Sequence, residues 1–193
     1  MLGLKMATDP RWVNIVEENV AEILIDHAFC EQKAASNAIS LIVKYPEIPE
    51  LVSAMSEIAI EEMQHFDMVH ELIIERGLVL GQERRDPYVG DLVKYMNTGG
   101  NREYGLSSKL LVSAMIEARS CERFRLLSEQ MKDEKLSKFY RDLMESEARH
   151  YITFLNLARK YCPTVDIDAR WKDFLEFEAQ LMHKYGKQET MHG

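Results

Sequence analysis

Two copies of one arrangement constrain this chain more than any other feature: Glu31 followed by Glu62-Met-Gln-His65, and Glu117 followed by Glu147-Ala-Arg-His150. The interval between the two glutamates is 31 residues in the first copy and 30 in the second. Each glutamate interrupts an apolar stripe of helical period. A carboxylate in such a stripe is buried, and a buried carboxylate needs a compensating partner. The fold must therefore bring long helices together with these acids turned inward.

Helix signals dominate the chain, and strand signals are almost absent. Asp9-Pro10 reads as an N-cap with proline at the first helical position, opening a helix that runs to about Tyr45 before Pro46 and Pro49 force a turn. A second helix is expected from about Glu50 to Arg76, ended by Gly77. Residues 78–104 hold Gly81, Asp86-Pro87, Gly90 and Asn97-Thr-Gly-Gly100, so they read as a long connection with one short helix over 87–96. A third helix is expected from about Leu106 to Met131 and a fourth to about Tyr161, with Lys132-Asp-Glu-Lys135 as the turn and Cys162-Pro163 as the stop. An amphipathic helix over Asp168 to Tyr185 follows, and the last residues, KQETMHG, look frayed. Two helical hairpins joined by one long crossover is the connectivity of an all-α, ferritin-like four-helix bundle, here with an additional C-terminal helix.

The apolar stripes agree with this. They run through Leu24, Ala28, Glu31, Ala35, Ala38 and Ile42 on the first helix, and Met55, Ile58, Glu62, His65, Phe66 and Val69 on the second. On the third and fourth they run through Leu110, Ala114, Glu117, Cys121 and Phe124, and through Leu143, Glu147, His150, Phe154 and Leu157. In an antiparallel pair, residues equally far from the turn lie at one height. With turn centres near 48 and 133.5, Glu31 and His65 are 17 residues either side of the first, and Glu117 and His150 are 16.5 either side of the second. All six side chains are then expected at one level, roughly 25 Å from the turns.

Four buried carboxylates repel one another and cost several kcal/mol each in desolvation, so something positive must sit among them. Two divalent cations cancel four negative charges, and carboxylate with imidazole and no thiolate suits iron or manganese. Glu-x-x-His alone is weak evidence. With 22 glutamates and 6 histidines in 193 residues, roughly 0.7 matches arise by chance, and a third match, Glu189-Thr-Met-His192, lies in the tail. The weight rests on the paired glutamates, the stripes and the matched heights. The metal ligands read this way are Glu31, Glu62, His65, Glu117, Glu147 and His150.

Neighbouring residues take plainer readings. Glu122 lies about 140° around the helix from Glu117 and belongs to another face. His27, one turn before Glu31, reads as a core or rim histidine, with a role behind the ligand as the alternative. Cys30 and Cys121 read as small apolar fillers. Glu61 and Ser146 could orient a histidine on the opposite helix, and Tyr151 could touch the site. Alanines 28, 34, 35, 38, 114 and 118 allow either an apolar channel or close helix packing.

At 193 residues with 46% hydrophobic content, the chain supports one good core, hence a single domain over 1–193. No apolar run long enough to span a bilayer occurs, the N-terminus lacks the apolar centre of a signal peptide, and three cysteines without knuckle spacing suit a reducing cytoplasm. The net charge of −8 disfavours indiscriminate binding to nucleic acid. It leaves room for a local basic patch.

The segments Asp26-His-Ala-Phe-Cys-Glu-Gln-Lys-Ala-Ala35, Glu61-Glu-Met-Gln-His-Phe66, Ile116-Glu-Ala-Arg-Ser-Cys-Glu-Arg-Phe124 and Glu145-Ser-Glu-Ala-Arg-His-Tyr151 resemble the MiaE family of tRNA hydroxylases. The likeness runs over almost the whole chain, and Ile116 to Phe124 is its most specific part. It implies a non-haem di-iron monooxygenase that uses O2 to hydroxylate the isopentenyl group of 2-methylthio-N6-isopentenyladenosine next to the tRNA anticodon. It also implies the same six iron ligands, two iron ions, tRNA as partner and an electron-donor protein. A splayed, modified adenosine calls for stacking and phosphate contacts at the entrance. Arg84, Arg85, Lys94, Arg102, Arg119 and Arg123 are the candidates for tRNA contact. A ferritin-like ferroxidase or iron-handling protein, or a peroxide reductase, would use the same ligands and is the alternative.

Overall fold

The computed structural model describes residues 2–96, 99–185 and 190–191. Glu189 and His192 of the tail match lie outside that set, as do Asn97 and Thr98 of the crossover. Seven α-helices and no strand occur among the described residues: α1 Trp12–Glu18, α2 Val20–Lys44, α3 Pro49–Glu75, α4 Pro87–Met96, α5 Arg102–Gln130, α6 Glu134–Tyr161 and α7 Ile167–Tyr185. By packing they fall into two compact units. Of the described residues, one comprises 19–85 with 190–191, and the other 2–18 with 86–96 and 99–185.

The first unit is the α2–α3 hairpin. Its helix α2 buries Leu24, Ala28, Glu31, Ala35, Ala38 and Leu41 along one stripe, and Leu41, not Ile42, takes the fully buried place near the turn. Pro49 stands in the first turn of α3, where its missing N–H costs nothing. At the other end, Gly77 adopts φ +69°, while its N–H and that of Leu78 donate to the carbonyls of Ile74 and Ile73. This Schellman arrangement satisfies the last carbonyls, and the positive φ is why glycine stands there. The single expected first helix is broken at Asn19, where φ −130° and ψ 37° leave the helical region. Neither proline nor glycine marks that break. The tail is not frayed at Thr190 and Met191: both are buried, and the Met191 N–H donates to the Asp26 carboxylate at 2.7 Å.

The second unit holds α1 and α4 to α7. Four of its helix starts are capped by side chains: Asp86 accepts from the Val89 N–H, Asn101 from Tyr104, Asp133 from Lys135 and Leu136, and Asp166 from Ala169. Each such cap contributes about 1 kcal/mol. The Asn101 cap starts α5 four residues, and the Asp133 cap starts α6 two residues, earlier than the pattern of apolar residues suggests. Helix α5 differs from the rest in being buried around its circumference: every residue from Glu117 to Phe124 is buried. Fully burying a Leu or Phe contributes about 1.5–3 kcal/mol. Several such residues, including Leu110, Leu111, Phe124 and Leu127, offset the cost of the acids and cations on the same helix.

Candidate metal centre

In the α2–α3 unit, the stripe of α2 presents Glu31 and that of α3 presents Glu62 and His65, all buried. The three offer ligand atoms within 4.8 Å of one another. His65 Nδ1 lies 3.4 Å from Glu62 Oε2 and 3.7 Å from Glu31 Oε2. Behind Glu31, the fully buried His27 places Nε2 2.5 Å from Glu31 Oε1. His27 is thus more than a core histidine: it fixes one carboxylate oxygen. Burial pushes the Glu31 carboxyl up, but the charge of His27 and its hydrogen bond to the carboxylate outweigh it and hold the group at about 2. Glu31 therefore stays an anion at neutral pH, as a metal ligand requires.

In the second unit, α5 presents Glu117 and α6 presents Glu147 and His150, again all buried, with ligand atoms within 4.8 Å of one another. The register is the same as in the first hairpin. Glu31 and Glu62 are equidistant from the midpoint of Lys44 and Pro49, and Glu117 and Glu147 from the midpoint of Gln130 and Glu134. Glutamate thus faces glutamate in both, with the histidine three residues further on, the next position on the same helix face. The sequence-derived turn centres had paired glutamate with histidine, and the observed helix ends correct this.

The donor set fits a hard dication of the iron or manganese type. Carboxylate oxygens and imidazole nitrogens make up both triads, and no cysteine joins either. Burial, then the Glu147 charge, pushes the Cys121 thiol up to about 11, and its Sγ donates to the Met144 carbonyl at 3.5 Å. It is a protonated filler. Ser146 donates to the Leu143 carbonyl of its own helix and Tyr151 to the Leu2 carbonyl, so neither side chain is directed to a ligand by these bonds. Ala28, Ala35, Ala38, Ala114 and Ala118 are buried, and Ala34 is half-buried.

The expected tRNA contacts divide. Arg119 and Arg123 are fully buried, which removes them as contacts: a guanidinium without exposed surface does not meet a phosphate. Arg119 donates through Nε and NH2 to Glu178 at 2.9 and 2.7 Å, through NH1 to Glu122 at 2.9 Å and Thr8 at 3.3 Å, and through NH2 to the Met6 carbonyl at 2.9 Å. Thr8 closes the network by donating to Glu122 from both its hydroxyl and its N–H, and Tyr88 donates to Glu178 at 2.9 Å. Glu122 is therefore held on its own face of α5, away from the ligand set. Arg123 lies 4.3 Å over the Trp12 ring, and burial lowers its guanidinium to about 10. The Arg119, Glu122 and Glu178 charges stabilise only because each of the three is paired. Arg84 is partly exposed and bonded to Glu22 at 3.3 Å, while Arg85, Lys94 and Arg102 are exposed. The sequence reading missed Thr8 and Glu178; the signal available was an arginine on a helix whose apolar residues leave no polar side.

Comparison with known proteins adds to this geometry. A family model described as tRNA-(MS[2]IO[6]A)-hydroxylase (MiaE) matches residues 2–193. A tRNA 2-(methylsulfanyl)-N(6)-isopentenyladenosine(37) hydroxylase of Pseudomonas putida is 40% identical over 160 residues, covering 83% of this chain and 77% of that protein. One of the same name from Salmonella typhimurium is 31% identical over 212 residues, covering 86% and 77%. Among solved structures, a Synechococcus protein with aldehyde deformylating oxygenase activity superposes with a TM-score of 0.90 at 34% identity, covering 98% of this chain and 95% of that one. The likeness agrees with an all-α, ferritin-like fold class. No described helix is long and apolar enough to cross a membrane.

Proposed function

The chain belongs to the MiaE family of tRNA hydroxylases, and from that premise we propose that it is an O2-dependent, non-haem di-iron monooxygenase acting on the isopentenyl group of 2-methylthio-N6-isopentenyladenosine next to the tRNA anticodon. The observation that carries this reading is the doubled register: two hairpins, each with a buried Glu opposite a buried Glu and a histidine three residues on. A fold alone does not choose a reaction. The Synechococcus protein is named for a different activity, so the choice of substrate rests on the family match and on the two tRNA hydroxylases.

Glu31, Glu62, His65, Glu117, Glu147 and His150 would hold two iron ions within one ferritin-like domain over 1–193. Bound there, the irons would supply the O2 chemistry and oxidising power that an unactivated C–H bond demands and that side chains lack. The chain's own residues do the rest. Four carboxylates balance the charge of two dications, and His27 holds Glu31 in one orientation. The buried apolar stripes around the triads exclude water, which protects an oxidising site from side reactions. A tRNA substrate places the work in the cytoplasm, and an electron-donor protein supplies two electrons per turnover.

Reconstitution with Fe(II), O2 and a chemical reductant on prenylated tRNA, followed by nucleoside mass spectrometry, tests the reading. The isopentenyl nucleoside is expected to gain the mass of one oxygen atom. An intact, reducible di-iron protein that leaves this nucleoside unchanged overturns it.

A further inference from the structure

Charge is unevenly placed on the long helices. Helix α3 carries seven carboxylates and no lysine or arginine. Helix α6 carries six cations, Lys135, Lys138, Arg141, Arg149, Arg159 and Lys160, and all six are exposed. At 100° per residue they fall within an arc of about 120°, on the side of the helix away from Glu147. Glu134, Asp142 and Glu145 share that arc, leaving a surplus of three positive charges on the outward face of one helix in a chain of net charge −8.

We propose that this outward face of α6 is the surface on which the tRNA docks, its cations meeting the phosphates of the anticodon arm. The inference rests on the hydroxylase reading above and names the part of the chain that receives the substrate. Phosphate contacts supply most of the sequence-independent affinity for nucleic acid, and folded RNA is recognised largely through its backbone and shape. Arg159 is engaged by Asp168 at 2.8 Å, and the Lys160 ammonium lies 5.4 Å over the Tyr161 ring. Between the ends of the helix, Lys138, Arg141 and Arg149 rise along the axis by about 4.5 Å and then about 12 Å. Arg149 immediately precedes His150. Arg149 thus stands at the height of the proposed ligands, about 3 Å along the axis from Glu147. A local surplus of this kind reconciles an acidic chain with an anionic substrate, because phosphate contacts act within a Debye length of about 8–10 Å.

The test is the salt dependence of prenylated-tRNA binding by the iron-loaded protein. The triple variant Lys138→Ala, Arg141→Ala, Arg149→Ala is expected to lower the slope of log Kd against log salt by roughly 2–3, and to weaken binding about 100-fold at roughly 0.15 M salt. A control, Lys5→Ala, Lys44→Ala, Lys172→Ala, removes the same charge elsewhere and is expected to keep the slope. Iron content and circular dichroism report whether each variant is folded. If the triple variant loses iron, the single variants Lys138→Ala and Arg141→Ala carry the test, each with a slope change of about 1. A slope equal to the parent's, or an equal loss in the control, overturns the proposal while tRNA hydroxylation by the parent stands. A parent chain that does not act on prenylated tRNA removes the hydroxylase reading and this surface with it.

Discussion

In the α2–α3 hairpin the ligand Glu31 is backed, four residues earlier, by the imidazole of His27. In the α5–α6 hairpin the same position before Glu117 is Ser113, whose hydroxyl donates to the Lys109 carbonyl at 3.1 Å, a bond within its own helix. The surroundings differ as well. Helix α2 buries one stripe and shows the other side to water, whereas α5 is enclosed and carries the Arg119–Glu178–Glu122 network on its rear face. A repeated ligand register thus coexists with different surroundings: the His27 imidazole bonded to the Glu31 carboxylate in one hairpin, and a helix buried on all sides from Glu117 to Phe124 in the other.

Removing a ligand from either half tests whether the register is shared in function. Glu31→Ala and Glu117→Ala are each expected to reduce turnover below about 1% of the parent, since even groups behind a ligand are worth 10–100-fold. Iron analysis should show fewer than two ions per chain in both variants. A Glu117→Ala chain that retains full iron and turnover would break the equivalence of the two hairpins.

Stability should separate them next. Arg119→Met strands Glu178 and Glu122 in the interior and is expected to cost about 3–5 kcal/mol, a fall in Tm of roughly 10 °C for a chain of this size. Lys33, on α2, is partly exposed, with its Nζ 3.0 Å from Glu83. Lys33→Met is expected to cost under about 1 kcal/mol. Differential scanning calorimetry of the two variants measures the contrast, and equal losses would contradict it.

His27→Ala against Ser113→Ala addresses the carboxylates themselves. The first is expected to weaken iron binding or turnover about 10–100-fold. The second, which removes a hydroxyl bonded to its own helix, should leave both within about twofold. Metal titration and initial rates decide, and an equal response would show that the His27 bond has no bearing on the ligand.

The last effect concerns acid. The Glu31 carboxyl is lowered in the folded apo-protein from 4.5 to about 2. A depressed carboxylate contributes stability that is complete above the unfolded value and lost as pH falls towards the folded one. Between about pH 4.5 and 2, metal-free protein should therefore lose this contribution, on the order of 3 kcal/mol at most. Urea unfolding of the parent and of Glu31→Gln across that range isolates it. The difference between the two should shrink as pH falls.

Helix order was legible because punctuation in this chain is strong: Pro46, Pro49, Gly77, Pro87 and Pro163 each stand at or beside an observed helix end. The break at Asn19 was not, since it lies between two apolar runs of compatible period and only its backbone angles reveal it. Both triads were legible because acids inside an apolar stripe are conspicuous. The fate of Arg119 and Arg123 was not. Their environment is set by Thr8, Tyr88 and Glu178, remote in sequence, and a helix periodicity argument has no access to such partners. His27 fell between the two cases. Its four-residue spacing from Glu31 permits a bond, and only its burial and ring orientation select that role.

The enclosure of α5 has a consequence in time. A helix covered on every side exposes its backbone amides only when its neighbours open, so its hydrogen exchange should run close to the rate of global unfolding. The backbone that bears Glu117 would then persist when metal departs. A chain stripped of its ions keeps a templated position ready for reloading, so recovery can proceed without refolding the helix.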